Sequence, residues 1–138
     1  MLQLVSFPTV LTRESVNPTR TQHLVERLRA FQDSTPEVEG SAVVSNDGLS
    51  ITAVLNPPIS EDRVAAMSAA LLSLGERIAA ELGRGKMQQV YIRGAEGFAV
   101  LTAAGHQAVL TVMAKNDARL GLLLLEIRHV IADLQSLL

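Results

Sequence analysis

The chain has no cysteine and no tryptophan, and only one tyrosine and three phenylalanines among its 138 residues. Without cysteine there is neither a disulfide framework nor a thiolate metal site, and the protein can work in a reducing compartment, so a cytoplasmic location is expected. With aromatics at 3%, the ring-lined platforms on which nucleic-acid bases stack are not available. Positive charge is not in excess either: 12 Lys and Arg against 14 Asp and Glu give a formal net charge of −2, without the basic stripe that draws in a phosphate backbone. Nucleic acid is therefore not an expected partner. Long apolar runs are also missing. In "LGLLLLEIRHVIADLQSLL" the longest runs from Leu120 to Leu125, far short of the ~20 residues that cross a bilayer, so no membrane insertion is expected. "MLQLVSFPTVL" carries neither the basic n-region nor the small-residue cleavage site of a secretory signal.

What is present is aliphatic. Apolar residues make up 48% of the chain, so the core must be built from Leu, Val, Ile and Ala. A chain of this length fits one domain that buries roughly two thirds of its unfolded surface. Residues 1–17 read as an N-terminal arm in which "LQLVSF" either adds an edge strand or stays loose, Pro8 excluding a central strand. The domain proper is expected from 18 to 138.

From Asn17 the punctuation becomes regular. Asn17 is a suitable N-cap, Pro18 suits the first helical position, and Leu24, Leu28 and Phe31 follow at helical spacing, predicting a helix over about 18–33 that Pro36 ends. "SAVVSNDGLSITAVL" places Asn46-Asp47-Gly48 between two apolar runs, a hairpin signal that predicts strands at about 41–46 and 49–55. Ser60 as N-cap, with Glu61 and Asp62 in the first turn, opens a long helix over about 60–83 that stops at Gly83 and Gly85. Three strands are predicted near 87–93, 97–103 and 106–114, joined by turns too short for parallel crossovers. With Asn116 or Asp117 as N-cap, Leu120, Leu123, Leu124, Ile127, Ile131, Leu134 and Leu138 mark a last amphipathic helix. The predicted fold is α+β, with a five-stranded antiparallel sheet between helical layers in the order α-β-β-α-β-β-β-α.

Chemistry is scarce along this framework. His23, His106 and His129 share no i, i+4 spacing and read as solvated or rim residues. "GRGKMQ" lacks the upstream glycine and the Ser or Thr after Lys86 that a phosphate loop requires, and it follows a helix instead of opening one. Gly94 and Gly97 sit between antiparallel strands, which excludes the dinucleotide fingerprint. Ser45, Ser50, Ser60, Ser68 and Ser73 have no neighbouring His and acid to form a triad. No catalytic, cofactor-binding or metal-binding residue is expected, and the protein reads as a non-enzyme without cofactors. The middle helix is more informative. Taking Val64, Met67, Leu71, Leu74, Ile78 and Leu82 as the stripe that packs on the sheet leaves Ala65, Ala66, Ala69, Ala70 and Ser73 on its other sides, flanked by Arg63 and Arg77. That alanine-rich surface reflects either helix propensity with tight packing or a second face that docks a partner closely.

The stretches "VVSNDGLSITAVL" and "QVYIRGAEGFAVLTAAGHQAVLTVMAKNDARLGLLLLEI", with the Ala- and Leu-rich helix containing Gly75 between them, resemble the Roadblock/dynein light chain family, especially its bacterial small-domain members. The similarity spans about residues 38–138 through "S-x-D-G-L", "G-x-x-x-L-T-x-A-G" and "D-x-x-L-G". It implies a Roadblock-like sandwich that forms a homodimer, its sheets joined edge to edge through the third strand and its middle helices side by side. The implied dimer interface is Gln88, Gln89, Val90, Tyr91, Ile92 and Arg93 with Ala69. The implied partner is a small Ras-like GTPase, regulated by stimulated hydrolysis or by scaffolding, with Arg63, Ala66, Ala70, Ser73 and Arg77 as the partner-binding patch. A structural adaptor that holds a complex together without affecting nucleotide turnover is the alternative. A small-molecule sensor is less well matched, for want of an aromatic and polar pocket lining. Within the framework, Gly48 and Gly121 read as backbone devices, the first for a positive φ and the second for close approach of the last helix to the sheet. Tyr91 reads as half-buried packing or an interface anchor, and Arg93 as a solvated strand end.

Overall fold

A computed structural model describes residues 18–138; the arm of residues 1–17, with its candidate strand, lies outside them. Helix α1 (Pro18–Ser34) leads into β1 (Val38–Ser45) and β2 (Ser50–Val54). Helix α2 (Glu61–Glu81) separates these from β3 (Gln89–Gly94), β4 (Gly97–Ala104) and β5 (Ala108–Ala114), after which comes α3 (Leu120–Leu137). This is the expected α-β-β-α-β-β-β-α order. All five strands join one antiparallel sheet in the order β2-β1-β5-β4-β3. The long central pairing of β1 with β5 thus links the hairpin to the meander.

Local chemistry explains most boundaries. In the β1–β2 turn Gly48 has φ +89°, a conformation in which a side chain is strained. The turn is closed by Ser45 N–H donating to Leu49 O at 2.8 Å, while Leu49 N–H donates to Ser45 Oγ at 3.1 Å. Ser60 caps α2 as expected, its Oγ accepting from Arg63 N–H at 3.3 Å. At the other end Gly83 takes φ +66° and Arg84 N–H reaches back to Ala79 O at 2.8 Å, a glycine-based helix stop where a phosphate loop had been excluded.

β1 begins at Val38, three positions before the hairpin pattern suggests, because buried Val38 and Gly40 pair with Ala114 and Met113 of β5 across an irregular register. Gly40 suits this crowded place, since a Cβ there would stand 3.0 Å from Leu55 Cδ2 and 3.3 Å from Met113 Sδ. Two expectations at α3 fail. Neither Asn116 nor Asp117 caps it; the N-cap is Arg119, without a side-chain bond. Asn116 instead donates from Nδ2 to Ala95 O at 2.7 Å, tying the β5–α3 connection to the β3–β4 turn. Gly121 does not approach the sheet, as a Cβ there would meet nothing within 4 Å.

The sheet lies between two helical layers. On one face α1 and α3 bury Leu24, Leu28, Phe31, Leu123, Ile127, Val130 and Leu134 against Val43, Val100, Leu110 and Val112. The two helices are also joined by the Arg27 Nε to Asp133 Oδ2 ion pair at 2.7 Å. On the other face α2 crosses the sheet alone, setting Ala65 against Ala42 and Val44 and Leu72 against Leu101 and Val109. A buried hydrogen bond from Thr111 Oγ1 to Ser68 Oγ at 2.8 Å fixes the helix over β5.

Candidate interaction surface

Apart from Leu72, the side chains that α2 turns toward the sheet are small. Ala65, Ser68 and Leu72 are its buried residues, and Gly75 continues the same stripe, where a Cβ would come within 3.2 Å of Val90 Cγ2. This reverses part of the face assignment made from hydrophobic spacing. Met67, Leu74, Ile78 and Leu82, expected to pack on the sheet, are 62%, 51%, 50% and 62% exposed. Only Val64 and Leu71 of that stripe are partly buried against neighbouring side chains. The physical reason is close approach: with alanine, serine and glycine inward, the helix settles on the strands through backbone-near contacts, and its larger apolar side chains are displaced to the flank.

The sheet also has an open edge. β3 pairs with β4 on one side, in continuous register from Gln89–Thr102 to Gly94–Gly97, and has no strand on its other side among the described residues. It carries neither a proline nor a bulge to blunt the row of free N–H and C=O groups. Alternation puts Val90 on the α2 face, packed in the Leu72, Leu101 and Val109 cluster. Ile92 follows it at 47% exposure. Gln89, Tyr91 and Arg93 point to the α3 side. Tyr91 is exposed and donates its hydroxyl proton to Gln89 Oε1 at 2.7 Å, while Arg93 is exposed at the strand end, as expected, with its guanidinium 5.1 Å from the Phe98 ring centroid. Gln88, just before the strand, is exposed.

Arg63, Ala66, Ala70, Ser73 and Arg77 are all exposed and follow one another at spacings of three or four residues, so they share the outermost face of α2. Ala69 stands apart from β3. It is half-buried on the opposite flank, beside the β1–β2 turn, its Cβ 3.8 Å from the point where a Cβ on Gly48 would sit. The structure therefore brings Leu71 and Gly75 of α2 against Val90 of β3, and leaves Ala69 outside that group. The outward stripe escaped the sequence reading because its spacing is that of any helix face buried against something. The abundance of small residues at 65, 68 and 75 was the available signal for which face lies inward.

Elsewhere the chemistry stays sparse. His23, His106 and His129 are exposed, as expected, and His129 Nδ1 lies 3.5 Å from Glu126 Oε2. Ser50 bonds to Glu61 and Ser68 to Thr111, neither with a histidine alongside. Among the described residues no cluster of three His, Asp or Glu side chains could hold a metal ion, and no helix is long and apolar enough to cross a membrane.

These features define a layered α/β/α sandwich that offers protein-sized surfaces, an open strand edge and an apolar helix flank. Residues 24–114 match the Roadblock/LC7 domain, and the chain belongs to that family. A protein of Methanocaldococcus jannaschii is 29% identical over 114 residues, covering 83% of this chain and 99% of that relative. The solved Roadblock/LC7 domain from Streptomyces avermitilis shares the fold with a TM-score of 0.75 at 23% identity, over 80% of this chain and 92% of that one. MglB, solved in a tetrameric arrangement, gives a TM-score of 0.78 at 19% identity, over 86% of this chain and 90% of that one.

Proposed function

We propose that the protein is a non-enzymatic homodimer that binds a small Ras-like GTPase and regulates or scaffolds it in the cytoplasm. The observations that carry this reading are the open edge of β3 and the exposed apolar stripe of Met67, Leu74 and Ile78 on α2. Two copies related by a two-fold axis would continue the sheet through Gln88–Arg93 and bring the Met67, Leu74 and Ile78 stripes beneath the same seam, each residue counted on both sides. Membership of the Roadblock/LC7 family supports the regulatory role, and the multi-copy arrangement of a structural neighbour, MglB, agrees with self-association.

In such a dimer the outermost faces of the two α2 helices form one patch, with Arg63 and Arg77 framing Ala66, Ala70 and Ser73. Small side chains there permit close approach of a partner. Nothing places either arginine at a phosphate, so their assigned role is contact. The test uses small Ras-like GTPases of the same cell, with phosphate release and binding measured in parallel. Binding with faster release identifies an activator, binding with unchanged release identifies the scaffold or light-chain adaptor, and absence of binding overturns the proposal. Ala70→Glu, which puts bulk and charge at the centre of the patch, should weaken binding by a few kcal/mol while sedimentation still shows a dimer. If affinity is unchanged, the outermost face of α2 is not the docking site.

A further inference from the structure

On the sheet face opposite α2 a groove of about 410 Å³ runs between α3 and the outer strands. It exists because two helices do not span five strands: α1 and α3 cover the centre, and the sheet beyond α3 is left partly bare. Its apolar lining includes Leu124, Ile127 and Ile131 of α3, and its charged lining is Lys86, His106 and Arg128. No carboxylate lines it, in a chain where acidic residues outnumber basic ones. None of the three basic side chains is engaged in an ion pair among the described residues. In the floor lies Thr102 Oγ1, the one buried side-chain polar atom without a hydrogen-bond partner among those residues. Unpartnered buried hydroxyls are costly, and this one belongs to a residue that lines the groove, although its oxygen is itself covered.

We infer that this groove docks an acidic peptide segment of another protein, one in which aspartate or glutamate side chains alternate with leucine-sized apolar ones. Alternation matches the walls: carboxylates meet Arg128 on the helix side and Lys86 on the strand side, while apolar side chains settle on Leu124 and Ile131. Rotation of the Thr102 side chain on binding would let its hydroxyl donate to a peptide carbonyl oxygen. A small molecule fits poorly, because such ligands are held in clefts that bury most of their surface, and this groove is open along its length. The inference goes beyond the GTPase reading; the groove lies on the α3 side of the sheet, away from the α2 patch, and borders the proposed seam at Gln88 and Gln89.

The probe is a fluorescein-labelled synthetic peptide of alternating leucine and aspartate, followed by anisotropy against the full chain, with a leucine and lysine peptide of equal length as control. The acidic peptide should bind, its affinity should fall with added salt, and the basic peptide should not bind. Arg128→Glu, at an exposed position, should weaken binding at least tenfold, about 1.4 kcal/mol. Thr102→Val should weaken it several-fold with no loss of melting temperature, which separates a ligand contact from a folding defect. Failure of the acidic peptide to bind, equal binding of the basic peptide, or indifference to Arg128→Glu overturns the inference. So does a change in oligomeric state on Arg128→Glu by light scattering, which would make the groove a seam between copies. None of these readouts depends on a GTPase.

Discussion

Replacing Ile78 by alanine isolates the proposed self-association from folding. Full burial of an isoleucine side chain is worth ~1.5–3 kcal/mol, and Ile78 is 50% exposed in the single chain. About half of that gain, ~1 kcal/mol, is left for an interface to collect. A two-fold contact uses the residue twice, so the dimer should lose ~2 kcal/mol and its dissociation constant should rise ~30-fold. The folded monomer should not suffer, because alanine is the better helix former and little packing within the chain is lost. Sedimentation velocity over a dilution series measures the dissociation constant, and a denaturant melt at low protein concentration measures the monomer. An unchanged dissociation constant refutes the placement of α2 at the seam. A monomer made markedly less stable refutes the premise that Ile78 faces outward.

Along β3 successive N–H groups point alternately toward β4 and toward the open edge. Val90→Pro and Tyr91→Pro should therefore both shift dimer to monomer in light scattering, and the one that better retains its melting temperature identifies the outward donor. Gly48→Val forces a β-branched residue to φ +89° and should cost ~1–3 kcal/mol in a thermal melt; unchanged stability would mean that the turn relaxes freely. Ser68→Ala leaves the buried Thr111 hydroxyl without its 2.8 Å partner and should lower the melting temperature by ~5 °C, as a lost buried hydrogen bond does in a domain of this size.

The elements were legible in the sequence because their ends carry local chemistry: Ser60 before α2, Gly48 in the hairpin, Gly83 after the helix. What was not legible followed from contacts between distant segments. The start of β1 depends on Met113 and Ala114, the latter 76 residues from Val38 by the pairing of Val38 with Ala114 and close to it only in the folded sheet. Asn116 has the side chain of a helix cap, but Ala95 O claims it. The site was legible in part. β3 reads as an edge because a meander must end somewhere, and Arg63, Ala66, Ala70, Ser73 and Arg77 do share an exposed face. The direction of the apolar stripe was hidden, since hydrophobic spacing reports that a helix face is buried and does not say whether its cover is the same chain or another molecule.

The two borders of the sheet are unequal. β2 has five residues and pairs with β1 across a register shift at Val43/Val44, whereas β3 is straight in register. Inequality of this kind limits growth. Ribbon-like accretion of sheets requires two receptive margins per molecule, so that each addition exposes another. With a single receptive margin, the proposed pairing would use up the very feature that drives it and leave no margin of that kind for a third copy.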